Sequence, residues 1–278
     1  TSSEHCSRSP HLGYARAMDP IASLPAPLTA SALAPLTDSS KDLLGAARTL
    51  NAQLASMHFS PPVAAVLNPL DYAWGVYERY VRRFAAGPRR VVFLGMNPGP
   101  FGMMQTGVPF GEVAAVRDWM GLMAEVKQPV QPHPKRPIQG FACNRSEVSG
   151  RRLWTWVAER WGAPETFFAE SFVLNWCPLA FLEVSGRNFT PDRLPASGLR
   201  ALEAACDAHL QQAVRALQPQ WVIGVGGFAE RRVQSALRGW PAIRIGTILH
   251  PSPASPAANR GWAEQANQQL ADLGVWPP

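Results

Sequence analysis

The chain has 278 residues, 46% of them hydrophobic, with 10 Trp and 12 Phe, which is ample to fill one or two cores and excludes a wholly disordered polypeptide. No stretch approaches the roughly 18 uninterrupted apolar residues of a membrane span, and the N-terminus lacks a basic region followed by an apolar run, so a membrane-free, intracellular protein is expected. The formal charge is +6, and of the 26 cations only Lys41, Lys127 and Lys135 are not arginine. Arg makes bidentate contacts to phosphate, which keeps an anionic partner open without establishing one.

Residues 1–40, rich in Ser, Thr and Ala and holding Pro10, Pro20, Pro25, Pro27 and Pro35, show neither helical nor strand periodicity and read as a disordered tail. The remaining 41–278 carry 24 of the 26 cations and 17 of the 20 acids, a net of +7, and are expected to form a single domain. Apolar residues at helical spacing predict helices over 41–57 and 73–85, and Arg90–Leu94 reads as a buried strand running into Gly95. A helix over 112–124, a Pro-rich excursion over 127–138 and a helix over 148–161 follow. The next strand is Phe172–Asn175. A polar loop around Ser185 to Asn188 and a helix over 195–217 come next, then a strand at Trp221–Val225, a helix over 228–238, a strand at Ile243–Leu249 and a last helix over 257–273.

Strands alternating with helices predict an α/β fold of three layers, α/β/α, around a central, mostly parallel four-stranded sheet. Ligands bind such sheets at the C-terminal ends of the strands, and there the unusual residues lie. The first loop, GMNPGPFGMMQTGVPFG over 95–111, holds five glycines and three prolines, a rigid cradle of backbone N–H groups. It is neither a Walker loop, for want of G-K-[ST], nor a dinucleotide fingerprint. Gly224 to Gly227 after the third strand fits tight strand-to-helix packing. Asn97 is either a turn residue or a functional amide, and His250, before a proline, is either a core imidazole or a catalytic one. Asn175, inside the apolar FVLNWCP, is more informative, because a buried amide needs partners that a ligand could supply.

No G-x-S-x-G occurs, and no Asp or Glu lies in the first or last of these loops to act as a general base. The chemistry implied is one in which a good leaving group departs and water needs only to be placed. Cys6, Cys143, Cys177 and Cys206 have neither zinc nor disulfide spacing, so no metal is expected.

GMNPGPFGMMQTGVPFGEV (95–113), RSEVSGRRLW (145–154), NWCPLAFL (175–182), SGRN-x-TP (185–191) and HPSPASPAANRGW (250–262) together resemble the single-strand-selective monofunctional branch of the uracil-DNA glycosylase superfamily. The likeness runs from about residue 60 to 276. It implies hydrolysis of the bond between a damaged pyrimidine and deoxyribose after the nucleotide leaves the stack, in single- or double-stranded DNA, by a monomer with no cofactor. By the resemblance, Asn97 orients the water and His250 stabilises the charge developing on the base. Asn175 reads the base edge, Phe110 stacks on it, and the backbone near Met96, Gly99 and Met103 completes the pocket.

DNA contacts are expected from the loop holding Ser185, Gly186, Arg187, Asn188 and Arg193, and from Pro251, Ser252, Pro253, Ala254 and Arg260. Ala254 stands where vertebrate members carry Arg after HPSP, and Ser255 and Ala258 are also small, so a weaker plug in duplex DNA is expected. Two rival readings share the fold: a glycosylase preferring hypoxanthine or xanthine, and a DNA-binding protein without the chemistry.

Overall fold

The structure, a computed structural model, describes residues 38–277. The expected tail therefore lies outside the described residues up to residue 37. Its last two residues, Ser39 and Ser40, belong instead to the first turn of helix α1 (Ser39–Leu54), where Asp38 caps the Ser40 N–H and the Ser39 hydroxyl donates to the Ala216 carbonyl at 2.7 Å.

After α1 come β1 (Ala65–Leu67), α2 (Pro69–Tyr72), α3 (Trp74–Phe84), β2 (Val91–Gly95) and α4 (Met103–Thr106). Then follow α5 (Val148–Trp161), α6 (Pro164–Glu170), β3 (Ser171–Asn175), β4 (Ala180–Leu182), β5 (Asn188–Phe189) and α7 (Ala196–Leu217). The chain closes with β6 (Trp221–Val225), α8 (Gly227–Ala236), β7 (Arg244–Ile248) and α9 (Trp262–Asp272).

The four strands expected from the sequence form one parallel sheet in the order β3-β2-β6-β7. Val91, Val92, Phe93 and Leu94 of β2 are at most 1% exposed, which is why this strand reads as unbroken apolar residues: helices cover both of its faces. The crossover from β2 to β3 runs one way along the sheet and those from β3 to β6 and β6 to β7 run the other. Right-handed connections then place α5 and α6 on one face and α7 and α8 on the opposite one. The packing follows this division, with α1 against α7 and α7 against α8, and α5 against both α6 and α9. The reversal leaves a crevice beyond the carboxyl ends of β2 and β6.

Besides the short helices α2 and α4, the structure departs from the sequence-based expectation in three larger features. The helix expected over 112–124 is a single wide turn at Ala115–Trp119; Gly121 takes a left-handed conformation (φ 63°) and the Leu122 N–H turns back to the Val116 carbonyl, which ends it. Helix α6, seven residues long and opened by Pro164, is too short to show a period. A second, antiparallel sheet in the order β1-β4-β5 arises from segments of two or three residues, with Ala65 opposite Leu182 and Phe181 opposite Phe189. Its last strand lies in the stretch expected to be a polar loop, and it carries Asn188 toward the crevice.

Candidate active site

The crevice holds a cleft of about 600 Å³, lined by residues from five separate segments, among them Met96, Asn97, Gly99, Phe110, Asn175, Asn188, His250, Ser252 and Pro253. Asn97 follows the end of β2. Its amide nitrogen donates to the Leu179 carbonyl at 3.2 Å, which fixes the rotamer and leaves Oδ1 to accept from a guest.

Asn175 ends β3 directly opposite Gly95 of β2. Its amide nitrogen donates to the Met103 sulfur at 3.2 Å, a weak acceptor, while its buried Oδ1 has no partner among the described residues. An orphaned buried acceptor is costly, so its retention points to a ligand that supplies the donor. Gly95 makes room for this arrangement: a Cβ there would come within 2.3 Å of Asn175 Oδ1 and 2.5 Å of the Phe110 ring. Asn188, which lines the same cleft, has a second buried acceptor oxygen without a partner among the described residues.

Phe110 has φ 53°, a conformation a bulky side chain adopts only when its surroundings impose it. They do so through α5. The Trp154 indole donates to the Phe110 carbonyl at 3.1 Å, and Gly150 lies so close that a Cβ would sit 2.0 Å from that oxygen. The Phe110 ring ends up 5.9 Å from that of His250, centroid to centroid. Burial pushes the His250 imidazole down to a pKa of about 4, so at neutral pH it is an uncharged hydrogen-bond donor.

The segment after His250 is braced from behind. Arg152 of α5 donates to the Pro251 carbonyl at 3.1 Å and to Asn259 Oδ1 at 2.7 Å, and the Asn259 amide donates to the Pro253 carbonyl at 2.9 Å. Pro253, Ala254 and Arg260 are exposed, whereas Ala258 is buried, so of the small residues expected to weaken the plug Ala258 has no part in its tip.

Met96 and Gly99 line the cleft, whereas several other expected residues stand outside it. Met103 lies behind Asn175 and does not line the cleft. The Met96 carbonyl already accepts from the Cys177 N–H, and the Gly99 carbonyl from Gly102 and Met104, so these carbonyls serve the fold first. Ser185, Gly186, Arg187 and Arg193 also lie outside the lining; Arg187 and Arg193 both pair with Glu183, at 3.3 and 3.7 Å.

Glu147 and Arg145 are among the cleft residues that escaped the sequence reading. Glu147 lines the cleft although no carboxylate was expected there, but each of its oxygens accepts a backbone N–H from the first turn of α5, from Ser149 at 3.2 Å and Gly150 at 2.9 Å. It caps the helix that holds Phe110, and burial raises its pKa. Arg145 is another. Both precede a helix in sequence, far from any strand end, and only the signature of a cap ahead of an apolar period could have drawn attention to them.

The family model for the uracil DNA glycosylase superfamily matches residues 83–271. The chain belongs to the uracil DNA glycosylase superfamily. Among other superfamily members it is 51% identical over 229 residues to the single-strand selective monofunctional uracil-DNA glycosylase of Rattus norvegicus, covering 82% of each chain. It is 50% identical to the Mus musculus protein of that name, again over 82% of each chain, and 50% identical to the Bos taurus one, over 82% of this chain and 84% of that. The crystal structure of wild-type Pedobacter heparinus SMUG2 superposes with a TM-score of 0.62 at 15% identity, covering 86% of this chain and 98% of the other, a likeness of fold.

Proposed function

We propose that the protein is a monofunctional uracil-DNA glycosylase, a single catalytic domain acting as an intracellular monomer, which removes uracil and 5-substituted uracils such as 5-hydroxymethyluracil from single- and double-stranded DNA and leaves an abasic site. The observation that carries this is the convergence on one cleft of a tethered amide (Asn97), an orphaned amide oxygen (Asn175), an uncharged imidazole (His250) and an aromatic face (Phe110).

The extruded base stacks on Phe110, and the N3–H of uracil supplies the donor that Asn175 Oδ1 lacks, while the amide nitrogen, turning from the poor sulfur acceptor, meets O4. As the bond from N1 to C1′ breaks, its electron pair delocalises over the ring and the sugar becomes oxocarbenium-like. His250 donates to the oxygen on which that charge grows, a preorganised donor in a dry site. Water held by Asn97 Oδ1 adds to C1′, and the proton it loses is taken up by the uracil anion, which leaves as neutral uracil. No lysine lines the cleft among the described residues, so an amine to form a Schiff base with the sugar is lacking there, and water is the nucleophile. A cleft of about 600 Å³ is larger than a single unsubstituted pyrimidine fills, which favours acceptance of a 5-substituent.

The test is a panel of single-stranded oligonucleotides carrying uracil, 5-hydroxymethyluracil, hypoxanthine or xanthine at equal enzyme concentration. Cleavage of the two pyrimidines at rates at least tenfold above the purines is expected. Faster release of hypoxanthine or xanthine, or no alkali-labile sites from any base, overturns the reading.

A further inference from the structure

The cleft must also hold the strand that delivers the base, and its lining contains a single arginine or lysine among the described residues, Arg145. Its guanidinium carbon lies 3.9 Å from the centroid of the Phe101 ring. Phe101 is four residues beyond Asn97, on the same rigid loop, so a cation–π contact places a flexible side chain at a set position relative to the reaction centre while its N–H edge stays free to donate. Arg145 has no carboxylate partner among the described residues, and Glu147, the nearest acid in sequence, is turned away to cap α5. Arg136 reaches the same aromatic ring, 5.4 Å from its centroid, with its Nε donating to the Gly186 carbonyl at 2.5 Å.

The loop cations Arg187 and Arg193 differ in electrostatic standing. Both are shared with Glu183, and a phosphate would have to compete with that carboxylate for them.

We infer that Arg145, steadied on Phe101, is a phosphate-binding residue at the mouth of the cleft, gripping a phosphodiester oxygen of the strand that carries the extruded nucleotide, with Arg136 extending the path toward the 185–187 turn. The assignment rests on the glycosylase reading for the identity of the strand. It makes Arg145 a contributor to DNA affinity and not to bond cleavage.

The experiment measures Kd by fluorescence anisotropy for a single-stranded oligonucleotide containing one 2′-fluoro-2′-deoxyuridine, over a series of KCl concentrations, for the wild type, Arg145→Gln, Arg145→Lys and Arg187→Gln. Loss of one phosphate contact to a single strand lowers the slope of log K against log salt by about 0.7. Arg145→Gln is expected to show that drop with roughly a tenfold rise in Kd at low salt, while the saturated single-turnover rate on uracil changes less than threefold. Arg145→Lys is expected to keep the slope and lose part of the affinity, and Arg187→Gln to shift the slope by less than half as much as Arg145→Gln. An unchanged slope in Arg145→Gln, or an equal or larger drop in Arg187→Gln, overturns the assignment. Absence of uracil release by the wild type overturns the glycosylase reading instead, and the salt slopes still report on the contact.

Discussion

Burial, with no charged partner involved, sets the protonation state of His250, and that choice suits its proposed task. An imidazolium would attract phosphates and stabilise a negative base, but it would have to be kept charged in a desolvated cleft; the neutral ring costs less and still presents an N–H. The consequence is measurable. With a pKa of about 4, His250 stays neutral across the physiological range, so the single-turnover rate on saturating uracil-containing DNA is expected to be flat from about pH 8 to about pH 5.5. A fall with an apparent pKa near 6.5 would show that the imidazole titrates as if exposed. Asn175 and His250 were both legible in the sequence as polar residues at the ends of apolar strands. The strain at Phe110 was not, because a positive φ at an aromatic residue leaves no mark in composition or periodicity.

Helix α5 holds the site together: it fixes Phe110 through Trp154 and Gly150, and the segment after His250 through Arg152. In Gly150→Ala the new methyl cannot coexist with the Phe110 carbonyl at 2.0 Å, so the ring or the helix must move. Single-turnover kinetics should show at least a tenfold loss in rate, roughly the scale on which misplacement of a positioning group by an ångström is felt. Wild-type rates would mean that the ring's position is not critical. Ala254, at the exposed tip of the 250–261 segment expected to act as the plug, carries only a methyl. Ala254→Arg is expected to raise activity on duplex more than on single strands, and an equal effect on both would remove the plug from the account. The sequence pattern located α5 correctly but could not reveal its reach, since the partners of Arg152 and Trp154 lie about a hundred and about forty residues away in the chain. The short strands β1, β4 and β5 were illegible for another reason: two or three residues do not define a period.

Across the whole molecule, the four-stranded sheet and its covering helices were readable because buried parallel strands are continuous apolar runs between amphipathic helices. The same burial creates an acid sensitivity. His209, inside α7, and His250 both have pKa values pushed down to about 4 by burial. The unfolded chain takes up these two protons near pH 6.5, before the folded protein does. Their contribution to stability is therefore present above about pH 6.5 and lost as pH falls toward about 4, by on the order of 3 kcal/mol for each residue. Urea midpoints should decline across that window and His209→Gln should flatten the decline; a midpoint independent of pH between those limits would contradict the burial of both rings. In the proposed mechanism the cleft breaks the glycosidic bond of uracil with an amide-held water and a neutral imidazole. Its most direct test is release of free uracil from a single-stranded oligonucleotide under single-turnover conditions by the wild type, Asn97→Ala and His250→Leu, with DNA affinity measured alongside. Rapid release by the wild type and a rate lower by at least a hundredfold in each variant are expected, roughly the worth of one preorganised polar group, with affinity nearly unchanged; release at the wild-type rate by either variant would contradict this mechanism.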